Sequence, residues 1–251
     1  MSNVKIRKAI SYSIDREEMI DAVYGRYNPA YSYVAPAITF NGSSYRDQVG
    51  EIMEDEYNEY VGDPDKIVAL FQEGLDELGV ETPIEDITLT YLTSGSTTEV
   101  QAEREYIQQS LEETLGLTVE LSVAGDTSLF IADRNEGNYD FFLGGWYSDY
   151  NDPLDFLYTN YTDAYGMSFG GYSNTDYDAL ADQLVGETDM DKRLDIYKQM
   201  EQILLLDDCA FAPIYYATKQ VLLQNWVKDY RTSSFGASAE FIWTYIDGKN
   251  Q

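Results

Sequence analysis

The order of hydrophobic patterns predicts an α/β fold, and one continuous stretch carries most of that prediction. Ile87 to Leu92 reads as a strand, and Glu99 to Leu115 as a helix with Val100, Ile107, Leu111 and Leu115 inward. Gly116 ends that helix, and Leu117, Val119, Leu121 and Val123 then alternate with polar residues as a second strand. Strand, helix and strand of these lengths make a βαβ unit, with parallel strands and a right-handed crossover. A further helix from Asp126 to Asn135 leads to Tyr139–Leu143, a third strand.

The elements on either side follow from local signals. Ile6, Ala9, Ile10 and Ile14 share one face of a first helix, and Asp15 with Glu18 forms a capping pair ahead of Met19, Ile20 and Val23. Gly25 to Pro36 is an irregular, tyrosine-rich loop. Asp63-Pro64 is a strong helix start, followed by the stripe Ile67, Leu70, Phe71, Leu75 and Leu78 and the terminator Gly79. Later helices are expected near Asp176–Val185 and Asp191–Leu206, then strands at Ala212–Ala217 and Gln220–Leu223. Phe241, Trp243 and Tyr245 alternate within a last strand, Glu240–Ile246. There is no internal repeat, low-complexity tract or flexible linker, so one domain is the economical reading.

Composition narrows the function. With 44% hydrophobic residues in 251, the chain has ample material for a packed core. The 45 acidic residues against 16 basic ones give a net charge of −29, which repels phosphate backbones and anionic lipid, so no nucleic-acid partner is expected. The chain contains no histidine, which removes Ser-His and Cys-His catalysis and His-ligated zinc together. Its one cysteine, Cys209, lies beside Ala210 and Phe211 and reads as a small hydrophobe. No cofactor is expected, and the sequence contains neither a signal peptide nor a transmembrane run.

The segment Gly144-Gly145-Trp146-Tyr147-Ser148-Asp149-Tyr150-Asn151-Asp152-Pro153 stands directly after the third strand. Ligands of open α/β sheets collect beyond the carboxyl ends of parallel strands. Two glycines permit close backbone approach, Trp146 and Tyr147 offer apolar faces, and Asp149 offers a carboxylate suited to an ammonium ion. The competing reading is a turn whose aspartate caps a helix beginning near Pro153.

Gly145 to Pro153 resembles the Gly-Trp-x-x-Asp-Tyr-x-Asp-Pro signature of extracellular solute-binding protein family 5, the oligopeptide-binding proteins of ABC importers. Val4 to Arg16 resembles the family's "VRKAISYAIDR" helix, Pro29 to Pro36 its "PAYSYVPP" loop, and Pro213-Ile214-Tyr215-Tyr216 a late strand, all in register. The resemblance implies a periplasmic-binding-protein-like lobe with a mixed, largely parallel sheet flanked by helices. It implies that residues 1–220 form the C-terminal ligand-binding lobe and 221–251 a tail that crosses back to an N-terminal lobe. That lobe, the secretion signal and the anchoring cysteine of a cell-surface lipoprotein would lie outside this chain, which reads as a truncated piece.

By the same resemblance, Asp149 holds the α-ammonium of an extended oligopeptide, and backbone groups around Gly145, Trp146 and Tyr147 pair with its main chain. The resemblance implies an importer permease as partner. Apart from it, the tyrosine content offers Tyr31, Tyr33, Tyr147 and Tyr150 as aromatic faces for stacking on a sugar or, equally well, for peptide recognition. One position departs: some relatives place an arginine three residues before the tryptophan, where this chain has Leu143. Related receptors take sugars, nickel chelates or haem, and the same lobe could serve a sensor. A glycosidase using Asp149 with Asp152 or Asp155 is the enzymatic rival. Asp149-x-Asn151 opens like a calcium loop, but Leu154 and Asn160 stand where that loop needs glycine and glutamate. The tail keeps Trp226, Phe235, Phe241, Trp243 and Ile246, so it should fold onto its own lobe or pair with another chain, and a truncation-induced homodimer is the expected outcome.

Overall fold

The computed structural model describes residues 1–162, 171–237 and 239–249. The chain opens with two helices, α1 (Val4–Tyr12) and α2 (Arg16–Val23), the second capped by Asp15, whose side chain accepts from Glu18 N at 3.0 Å. Short strand β1 (Asn28–Pro29) and the ribbon β2 (Thr39–Phe40) and β3 (Ser43–Ser44) follow. Helices α3 (Tyr45–Val49), α4 (Glu54–Tyr60) and α5 (Pro64–Leu78) complete this part, with Asp63 capping α5 as its Asp-Pro start predicts.

Helix α5 buries Ile67, Phe71 and Leu75 against α1. The helices meet at Gly74, where a Cβ would stand 2.7 Å from Ile6 Cγ1, so this crossing needs a residue without a side chain. Leu78 leaves the predicted stripe and is 44% exposed. Asn3 and Lys5, at the start of α1, already bond Glu77 and Glu73, so the last residue of α5 overhangs its partner.

The predicted βαβ unit is present: β4 (Thr88–Ser94), α6 (Thr98–Leu115) and β5 (Thr118–Ala124), followed by α7 (Thr127–Glu136) and β6 (Phe141–Phe142). The sheet order is β5-β4-β6, parallel throughout, with Leu89 opposite Val119 and Tyr91 opposite Phe141. The expected mixing is not seen within this sheet among the described residues: the antiparallel pairs form separate two-stranded ribbons. The third strand is shorter than the predicted Tyr139–Leu143 because the Asp140 side chain, rather than the ladder, takes Thr90 N at 2.8 Å. Val123 is 48% exposed and α7 buries no residue, so the alternation in β5 fades toward its end.

A second core forms around α8 (Leu154–Leu157), α9 (Thr175–Gln183) and α10 (Met190–Gln202), the last continuing as one wide turn through Ile203–Asp207. It gathers Val34, Phe40, Tyr45, Phe156, Tyr177, Tyr197, Met200 and Leu204, whereas the sheet, α1 and α5 hold the first core. Strand β7 (Tyr215–Tyr216) pairs antiparallel with β1. Ala212–Ala217 thus supplies two strand residues, and Gln220–Leu223 supplies none, with Leu222 wholly exposed.

The tail pairs with itself. Strand β8 (Val227–Lys228) meets β9 (Tyr245–Ile246) antiparallel, and Arg231 bridges Glu240. The expected seven-residue strand shrinks to that pair because the chain turns at Phe241–Thr244, where Thr244 N bonds Phe241 O. Residues 238, 250 and 251 of the tail lie outside the described residues.

Candidate functional site

Strand β6 delivers the chain into a loop, residues 144–152, that precedes α8. One buried carboxylate shapes it. Asp155 is 6% exposed, and its Oδ2 accepts from Trp146 Nε1 at 2.9 Å and from Asp149 N at 3.0 Å. The capping role expected of an aspartate here belongs to Asp152, whose Oδ1 accepts from Leu154 N at 2.9 Å and from Tyr197 OH at 2.8 Å. Asp149 is thereby left exposed, and among the described residues its carboxylate has no hydrogen bond or ion pair. Gly145 and Tyr147 likewise make no main-chain hydrogen bond to described residues, and Tyr147 is 81% exposed.

Behind the loop lies a cavity of about 550 Å³ between the two cores. Tyr33, Gly145 and Trp146 line it, whereas Asp149 and Tyr147 are exposed and are not part of its lining. The lining adds residues not singled out as contacts from the sequence: Arg7, Asp140, Phe141, Tyr172, Asn174, Asp208 and Phe211. The Asp208 carboxylate accepts from Tyr172 OH and Asn174 Nδ2, both at 2.7 Å, and its carbonyl accepts from Arg7 Nε at 2.9 Å. Volume, aromatic walls and a few polar groups are what a small-ligand pocket requires.

Tyr33 is held from behind. Glu201, fully buried on α10, accepts from Tyr33 N at 3.1 Å, Val34 N at 2.9 Å and Tyr45 OH at 3.0 Å, and pairs with Arg46 Nη2 at 2.7 Å. The Tyr33 ring meets Phe156 edge-on at 5.6 Å, and burial pushes its phenol up to about 12.

Tyr31 departs from the expected arrangement. It is 9% exposed, packs in the first core with its ring 5.2 Å from that of Tyr57, and does not line the cavity. The Arg16 guanidinium sits 5.8 Å from its ring centroid, so a buried cation draws this tyrosine inward and away from Tyr33. Tyr31 and Tyr33 therefore serve different cores, although only Ser32 separates them.

Cys209 is buried on the cavity wall, and burial raises its thiol to about 11, which suits packing rather than attack. Among the described residues, the carboxyl held above its usual range is Glu103, raised by burial beside Tyr24 and Tyr215. It lies outside the cavity lining and supplies no partner to Asp149.

The profile of the bacterial extracellular solute-binding proteins, family 5 middle region, matches residues 1–168, and the chain belongs to that family. It is 30% identical over 234 residues to the oligopeptide-binding protein OppA of Bacillus subtilis, covering 91% of this chain and 39% of that protein. Among solved structures it resembles Listeria monocytogenes OppA bound to peptide, with TM-score 0.77 and 31% identity, over 97% of this chain and 45% of the other. It also matches the crystal structure of a peptide ABC transporter's peptide-binding protein, with TM-score 0.72 and 26% identity, over 85% of this chain and 90% of that one. The chain thus spans about two fifths of the length of the curated relatives it matches. The family consists of substrate-binding transport proteins, and its relatives include extracellular and periplasmic ones.

Proposed function

We propose that this chain is the ligand-binding lobe, residues 1–220, and the tail, 221–251, of a non-catalytic receptor that delivers oligopeptides to an ABC importer permease. The observation that carries the reading is Asp149: an exposed carboxylate, without a partner among the described residues, on a loop fixed by a buried one. It receives the peptide α-ammonium, while the free main-chain groups of Gly145 and Tyr147 pair with the extended ligand. Trp146 and Tyr33 form the wall beneath, Tyr147 covers the ligand from solvent, and Tyr31 supports the neighbouring core rather than the ligand. The excess of acidic residues favours cationic ligand groups over nucleic acid. In the whole protein, a lipid anchor would hold the receptor at the outer cell surface.

In the full-length protein, Asp149→Ala is expected to weaken peptide binding by about 1.5–3 kcal/mol, the worth of a charge-assisted hydrogen bond. N-acetylation of the peptide should cost a similar amount against the unaltered protein and little more against the variant. Calorimetry finding equal affinity for free and acetylated peptides would remove the ammonium role. The lobe alone should bind either peptide only weakly, with half the enclosing surface missing.

The tail keeps Phe241, Ile242, Trp243, Tyr245 and Ile246 more than half exposed. A second lobe would cover them in the whole protein, and in the chain alone the same residues favour a homodimer. Sedimentation of residues 1–251 should show a dimer that deletion from Asn225 onward returns to monomer. A monomer at high concentration would remove this role from the tail.

A further inference from the structure

The tail reaches the site loop at one point. Gly236 N donates to Ser148 O at 2.7 Å, directly beside Asp149. Gly236 has φ +62, and a Cβ added there would lie 3.2 Å from Asp149 O, a backbone atom that cannot swing aside. The loop is therefore gripped on two sides, by the Asp155 carboxylate at Asp149 N and by the tail at Ser148 O.

We infer that the tail is part of the ligand site, and that Gly236 is a positioning residue that sets the Ser148–Asp149 backbone, and through it the Asp149 carboxylate. This rests on the reading of Asp149 as the ammonium acceptor. The inner grip alone leaves the carbonyl side of the loop unfastened, because Ser148 O has no other main-chain partner among the described residues. A side chain at Gly236 would push the tail off and let the Asp149 peptide rotate. The tail thereby ties ligand affinity to a segment far from the loop in sequence.

The test uses the full-length protein with two probes, tetra-alanine and N-acetyl-tetra-alanine, together with amide exchange at Asp149. Gly236→Val is expected to weaken tetra-alanine about tenfold or more and to leave the acetylated probe within about twofold, collapsing the ratio between them. Gly236→Ala, with the smaller intrusion, should fall between. Exchange at the Asp149 amide should speed up about tenfold or more in Gly236→Val with no ligand present. A preserved ratio in Gly236→Val, an equal loss of both probes as a merely structural role would give, or unchanged exchange would each overturn the inference. Equal affinities for the two probes in the unaltered protein would instead sink the ammonium reading beneath it.

Discussion

Glu201→Ala is expected to lower the free energy of unfolding by about 3–5 kcal/mol, the range for removing one partner of a buried ion pair. Glu201 is fully buried and Arg46 is 6% exposed, so neither group regains water when the other is lost. The variant leaves the Arg46 guanidinium facing an apolar gap and strips an acceptor from Tyr33 N, Val34 N and Tyr45 OH at once. Glu201→Gln keeps an acceptor oxygen but turns an amide NH2 toward Arg46, so its loss should be smaller. Both backbone donors belong to the loop that places Tyr33 on the cavity wall, so ligand affinity should fall together with stability. Denaturant unfolding that shows less than about 1 kcal/mol for Glu201→Ala would mean that water reaches the pair, as it does at surface bridges.

The parts of this fold that were legible in the sequence are those set by neighbours in the chain. Asp15 three residues before Glu18, Asp63 before Pro64, and the strand signal from Leu117 onward each act within one turn or one strand. The caps and the strand formed where expected, although the strand's alternation fades at Val123. The departures come from distant contacts. Asp140 replaces a ladder bond with its own side chain, Arg16 pulls Tyr31 inward, and Arg231 meets Glu240 so that the tail pairs within itself. At the site, the spacing of Gly145, Trp146 and Asp149 could be read, but the groups that fix them could not. Asp155 looked like one acid among 45 and entered only as half of an enzymatic pair, although it is the residue that grips the loop. Gly236 carries no signal at all, because its constraint is a backbone atom of Asp149.

Arg16→Met is expected to cost about 3 kcal/mol, and the sign is decided by two opposed effects. Arg16 is fully buried, and no carboxylate pairs with it among the described residues; burial accordingly lowers its pKa. Replacing an unpaired buried cation by an apolar side chain of similar length relieves that desolvation. Against this stands what the guanidinium joins. Nε donates to Pro213 O at 2.7 Å and Ala30 O at 3.1 Å, Nη1 to Ser11 O at 3.2 Å and Ile14 O at 3.3 Å, and Nη2 to Ser11 Oγ at 3.1 Å. Its charge also rests 4.2 Å from the Tyr57 ring centroid. Methionine strands several buried carbonyls at once, each costing about 1–3 kcal/mol, so the loss outweighs the relief. Arg16→Lys keeps the charge but gathers its donors at one point, which cannot span Ser11, Ala30 and Pro213, so it should also destabilise. Because these residues lie on α1, the aromatic loop and the approach to β7, the damage should spread to both cores and show as one cooperative transition at lower denaturant. Added salt should not change the difference, since the site is closed to ions. Arg16→Met within about 0.5 kcal/mol of the unaltered protein would show that relief of the buried charge balances the stranded carbonyls.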